Sequence, residues 1–188
     1  GPVSGQIGSG KTVRFLAIGD SVIAGVGAPS VGEALPGQIA FDLAKRLDCK
    51  AHWEAVGRIG ATCDTIRSRL LPSLDSDPFD FIALSVGVND ITSLRTVKQW
   101  SNELDLLLEE LKTHSPNASI AFVGLPPLSA FPLLPQPLRA VMGIRSRIFD
   151  DVAQGLIKRH DTVVHVPLHF DGKPDEFSPD GYHPSTSS

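Results

Sequence analysis

Two short runs of apolar residues, Val13–Ile18 (VRFLAI) and Phe79–Val86 (FDFIALSV), constrain this chain more than any other feature. Each is too short for a core helix and nearly continuous rather than alternating, the pattern of a strand buried on both faces. Ala51–Val56, Ser119–Gly124 and Thr162–Val166 read as three further strands. Helical stretches lie between them: Glu33–Leu47 with Pro36 in its first turn, Thr62–Leu71, a helix starting near Thr96, and Arg139–Arg159. The Thr96 helix is the clearest. Thr96 and Gln99 stand at capping-box spacing, and Val97, Trp100, Leu104, Leu107, Leu108 and Leu111 repeat along one face. Strands alternating with helices predict a parallel sheet covered on both sides, the α/β class.

Composition narrows the function classes. The chain has 188 residues, 41% of them hydrophobic, which suits one domain with a substantial core and excludes wholesale disorder. Seventeen Lys and Arg against 21 Asp and Glu give a net charge of −4, so there is no basic footprint for nucleic acid or an anionic membrane. No apolar run approaches the roughly 18 residues of a membrane span. Cys49 and Cys63 flank one expected strand, about 20 Å apart, beyond disulfide reach, and are read as two free thiols. No signal-peptide pattern stands at the N-terminus. The sequence therefore assigns neither compartment, cytoplasmic or exported, nor oligomeric state.

Gly5–Thr12 matches the phosphate-binding pattern G-x-x-x-x-G-K-[ST], which works only where a strand delivers the loop and a helix follows it. Here a strand follows. Residues 1–12 are accordingly read as a flexible leader, and 13–188 as a single domain.

In parallel α/β sheets, ligands bind outside the C-terminal ends of the strands, where strand order switches. Four segments fall on that rim: Gly19-Asp20-Ser21, Gly57–Thr62, Gly87-Val88-Asn89-Asp90 and the tail Asp180-Gly181-Tyr182-His183-Pro184. Ser21 ends a strand where the chain turns toward a helix, a place for a nucleophile with backbone N–H groups around it. Asp180 and His183, three apart in one turn, let a carboxylate orient an imidazole whose other nitrogen accepts a proton. Gly60 permits close backbone approach, and the Asn89 amide can donate to an oxyanion. His52, His114, His160, His165 and His169 lack a carboxylate at this spacing and are read as structural or surface. No His/Cys/Asp cluster has metal-ligand spacing.

The ordered series Gly19-Asp20-Ser21, Gly60, Gly87-Val88-Asn89-Asp90 and Asp180–His183 resembles the four blocks of the SGNH, or GDSL-like, hydrolase superfamily, from Val13 to Pro184. The resemblance implies a three-layer α/β/α flavodoxin-like fold with a five-stranded parallel sheet of order 2-1-3-4-5. It implies Ser21 as nucleophile, His183 as base and Asp180 as its orienting partner. The Ser21 and Gly60 N–H groups and the Asn89 side chain would form the oxyanion hole. Such enzymes cleave small acyl esters or thioesters without a metal or other cofactor. One departure stands in the second block, where Ala55–Gly60 lacks the asparagine usual before the glycine. An acyltransferase with the same triad and a non-catalytic flavodoxin-like binding module remain the alternatives.

Leu125–Leu138 (LPPLSAFPLLPQPL) starts on the same rim. Its five prolines lower the cost of holding one shape, which suits a preformed apolar wall for the acyl group, with Leu128 and Phe131 as candidate contacts. A loop folded onto the core over the last helix is the competing reading.

Overall fold

The computed structural model describes residues 3–131 and 133–168. Six strands, β1 (Val3–Gly8), β2 (Thr12–Gly19), β3 (Lys50–Gly57), β4 (Phe81–Ser85), β5 (Ser119–Val123) and β6 (Val163–Val166), form one sheet in the order β1-β3-β2-β4-β5-β6. The helices are α1 (Leu35–Leu47), α2 (Cys63–Thr65), α3 (Val88–Thr92), α4 (Val97–His114) and α5 (Leu138–Ile157). From β2 to β6 the strands that pair are parallel, so the expected five-stranded parallel sheet and its order are present.

Strand alternation sends successive side chains to opposite faces, and the two cores divide accordingly. Leu16, Ile18, Ile82, Leu84, Ile120 and Phe122 pack with Trp100, Leu104, Leu107 and Leu111 of α4 and Phe149 and Ala153 of α5. Phe15, Ala17 and Ala83 face the other way, toward Ala40 of α1 and Trp53 of β3. The result is a helix–sheet–helix sandwich. Helix α4 begins as its sequence demands: Thr96 Oγ1 accepts the Gln99 N–H, and Gln99 Oε1 accepts the Thr96 N–H. Trp100 anchors it to α5, its indole N–H donating to Phe149 O at 2.9 Å while the two rings stack.

Two expectations are corrected. Residues 1–12 are not simply a flexible leader, because Val3–Gly8 forms an edge strand antiparallel to β3, with Val3 opposite Ala55 and Gly8 opposite Lys50. Gly5 lies directly over the Trp53 ring, which a side chain there would strike. This adds a sixth strand to the sheet and places most of the phosphate-loop look-alike in extended backbone. The expected helix Thr62–Leu71 is irregular: one α-turn at α2 widens into a π-turn over Ile66–Leu70 and tightens into a 3₁₀ turn at Leu71–Ser73. Cys49 and Cys63 are both buried and free. Among the described residues, no helix is long and apolar enough to cross a membrane.

Candidate active site

Strand β2 lies between β3 and β4, so the chain leaves it for β3 on one side and later returns to β4 on the other. The switch in strand order falls at the C-terminal end of β2, where Gly19 is followed by Asp20 and Ser21. Residues 21–27 are turns, and regular helix begins at Leu35, close to the expected start at Glu33. The turn is fixed from within. Ala24 N–H donates to Asp20 O at 3.0 Å and Val26 N–H to Ser21 O at 3.1 Å.

Asp20 ties this turn to the neighbouring strand. Its backbone N–H donates to Ser85 O at 3.0 Å, and its Oδ1 accepts from Ser85 Oγ at 3.2 Å and from the Val22 N–H at 3.1 Å. The carboxylate is buried, and Ser21 beside it is half-buried. Buried carboxylates require such partners, since an unpaired one costs several kcal/mol.

Gly60 arrives from β3. Arg58 N–H donates to Gly19 O at 3.0 Å, and Ala61 N–H closes a turn onto Arg58 O at 3.1 Å. Gly60 is the third residue of that turn with φ +78°, the value a type II turn requires there and one that L side chains resist. Among the described residues nothing lies within 4 Å of where its Cβ would stand. Gly57 serves close approach instead: a Cβ there would sit 2.2 Å from the Ala24 amide nitrogen. The end of β3 therefore rests against the Ser21 turn.

Asn89 and Asp90 arrive from β4, at the start of α3. Asn89 Nδ2 donates to Ala61 O at 3.0 Å, which leaves its second N–H for another acceptor. Asp90 has no exposed surface and accepts the Cys63 N–H at 3.3 and 3.4 Å. Burial pushes its carboxyl up to about 7, with the nearby Glu103 adding to the shift while the Cys63 N–H and Arg95 oppose it. Burial, helped by Asp90, also pushes the Cys63 thiol up. Beneath this corner Arg145 donates to Ile91 O and Arg95 O, holding α5 to the far end of α3.

The structure therefore brings Ser21, the Gly60 turn and Asn89 onto three adjacent strand ends. Asp180, His183 and His169 lie outside the described residues. Of the remaining histidines, three are engaged elsewhere. His114 contacts Ser115 Oγ and Asp75 O, and His160 sits between Asp105 and Glu109 of α4. His165 pairs with Asp150 at 2.8 Å, but β6 is three strands from β2, about 14 Å across the sheet. Among the described residues, no group of three His, Cys, Asp or Glu side chains is placed to hold a metal.

The loop after β5 departs from the substrate-wall expectation. Leu128 and Phe131 are 1% and 4% exposed and belong to the main core with Leu125, Leu134 and Met142. Leu125 N–H donates to Asp150 Oδ1, Ser146 Oγ to Pro126 O and Arg139 Nε to Leu134 O, so α5 holds the loop at three points. Leu128 and Phe131 are reassigned to the core, since burial that is worth about 2–3 kcal/mol for such a side chain outweighs leaving it open for a ligand. Spacing along the sequence assigns no role to Asp20, Ser85 or Asp90. Their contacts join segments 27 to 65 residues apart, which local spacing does not register.

A family model described as the GDSL-like lipase/acylhydrolase family matches residues 17–187. No curated protein matches the chain. Among solved structures, a family 3 carbohydrate esterase from Clostridium thermocellum is similar at TM-score 0.69 and 20% identity, over 93% of this chain and 88% of that one. An extracellular lipase from Streptomyces rimosus is similar at TM-score 0.67 and 19% identity, over 93% and 94%. An acetyl xylan esterase variant from Geobacillus stearothermophilus is similar at TM-score 0.63 and 18% identity, over 96% and 90%. At these identities the likeness establishes the fold.

Proposed function

Because this chain belongs to the GDSL-like lipase/acylhydrolase family, we propose that it hydrolyses small carboxylic esters or thioesters through an acyl-enzyme on Ser21. The observation that carries this reading is the convergence of the Ser21 turn, the Gly60 turn and Asn89 at the strand-order switch, bonded to one another through Gly19 O and Ala61 O.

In this reading Ser21 Oγ attacks the substrate carbonyl carbon while His183 Nε2 takes the hydroxyl proton. Asp180 holds the imidazole in the required tautomer and stabilises its positive charge. The carbonyl oxygen becomes an oxyanion, met by the Ser21 and Gly60 N–H groups and by the second N–H of Asn89. Donors already fixed in place when charge develops cost nothing to reorganise, which is why such holes contribute strongly to rate. Collapse of the tetrahedral intermediate breaks the ester C–O bond, and the leaving alcohol carries off the proton from His183. Water, deprotonated by His183, then attacks the acyl-enzyme and releases the acid, regenerating Ser21.

The test is hydrolysis of a series of short and medium nitrophenyl esters by the wild-type chain and three variants. Ser21→Ala and His183→Ala should abolish turnover, because nucleophile and base act as one unit, and Asp180→Asn should lose less. Full activity in His183→Ala would remove His183 from the mechanism.

A further inference from the structure

We propose that Asp90 is a positioning residue for the oxyanion hole: with Asn89 it grips the outgoing end of the Gly60 turn and thereby fixes the direction of the Gly60 N–H. This rests on the hydrolase reading above.

The Gly60 turn has two anchorages. At its start, Arg58 N–H is held by Gly19 O, two residues before the nucleophile. At its end, two consecutive side chains of α3 take hold of alternate backbone groups: Asn89 Nδ2 donates to Ala61 O, and the Asp90 carboxyl accepts the Cys63 N–H. Thr62, between them, caps α2 through its own side chain, which accepts the Thr65 N–H at 3.3 Å. The turn itself supplies one internal bond, Ala61 N–H to Arg58 O. Gly60 carries no side chain, and among the described residues nothing lies within 4 Å of where its Cβ would stand, so side-chain packing by those residues does not set its orientation. The backbone bonds on either side do.

A fully buried carboxyl group is costly to place beneath a loop unless it is hydrogen-bonded. Asp90 offers an acceptor oxygen to the Cys63 N–H, at 3.3 and 3.4 Å from its two oxygens, and that bond is what ties the end of the turn to α3. It also shares its backbone segment with Asn89, so the donor to the oxyanion and the clamp on the Gly60 turn are set by one element. Displacing α3 would move both oxyanion donors together.

The experiment joins hydrogen exchange with kinetics on the full chain. In Asp90→Ala, amide exchange over residues 57–65 should rise at least tenfold while α4 stays protected. Turnover per reactive serine, counted with a fluorophosphonate probe, should fall about 10- to 100-fold with KM within twofold, the range for a misplaced oxyanion donor. Asp90→Asn keeps an oxygen that accepts the Cys63 N–H, so it should recover kcat to within about threefold of wild type. Unchanged exchange at 57–65, or raised exchange with unchanged turnover per reactive serine, overturns the proposal. A wild-type chain that hydrolyses no ester overturns instead the reading of the reaction, and the exchange data then still report whether Asp90 holds the turn.

Discussion

Phe131→Ala separates a loop that belongs to the core from one that lines a substrate channel. The side chain is 4% exposed and packs in the main core with Leu128, Leu134 and Met142. Truncating a buried phenylalanine removes its transfer free energy and leaves a cavity, at a cost of about 3–5 kcal/mol. For a chain of this length, each kcal/mol lowers the melting temperature by about 2–4 °C, so the expected drop is roughly 6–20 °C. Leu133, two residues on and 56% exposed, is the internal control. Leu133→Ala should change stability by no more than about 0.5 kcal/mol. Thermal unfolding followed by circular dichroism measures both. The chain-length profile of kcat/KM, taken well below the variant's melting temperature, should keep its shape in Phe131→Ala. A melting temperature within about 2 °C of wild type, together with a profile shifted between short and medium acyl chains, would refute the assignment. It would return Phe131 to the substrate wall.

Asn89→Ala should lower kcat by on the order of 10²–10³-fold with KM nearly unchanged, whereas a mainly raised KM would make Asn89 a ground-state contact. Asp90 carries a linkage signature, because its folded-state carboxyl is pushed up to about 7 by burial. Between about pH 4 and pH 7 the unfolded chain has released this proton and the folded chain has not, so stability falls as pH rises, by up to about 1.4 kcal/mol per unit. Relative to Asp90→Asn, the wild type should therefore lose stability across that window and level off above it; a constant difference in denaturant titrations would contradict the buried carboxyl. Removing residues 1–8 should uncover Trp53, giving a red-shifted emission and a melting temperature lower by several degrees, and an unchanged spectrum would mean that β1 does not cover that ring.

The parallel sheet was legible because β2 and β4 are buried on both faces and carry continuous apolar runs. Helix α4 was legible because its cap and its apolar repeat agree. Strand β1 was not, because VSGQIG has neither an apolar run nor strict alternation. Its strand exists through pairing with β3 and through the absence of a side chain over Trp53, both of which are tertiary facts. The proline-rich loop was ambiguous for a related reason: prolines stiffen a wall and a lid equally, and only the bonds to Asp150 and Ser146 distinguish them. Ser21, Gly60 and Asn89 were readable as rim residues because each follows a strand by a residue or a few. What spacing did not reveal was the wiring among them, since Asp20–Ser85, Asn89–Ala61 and Asp90–Cys63 are contacts across neighbouring strand ends.

If Ser21 is the acylated nucleophile, phosphonylation reads this directly. The wild-type chain is treated with a fluorophosphonate, its residual esterase activity is followed, and the modified residue is located by peptide mass spectrometry. The expected result is one adduct per chain, on the peptide containing Ser21, appearing in step with the loss of activity and absent from Ser21→Ala. An adduct on another residue, or ester turnover that persists in Ser21→Ala, would contradict it.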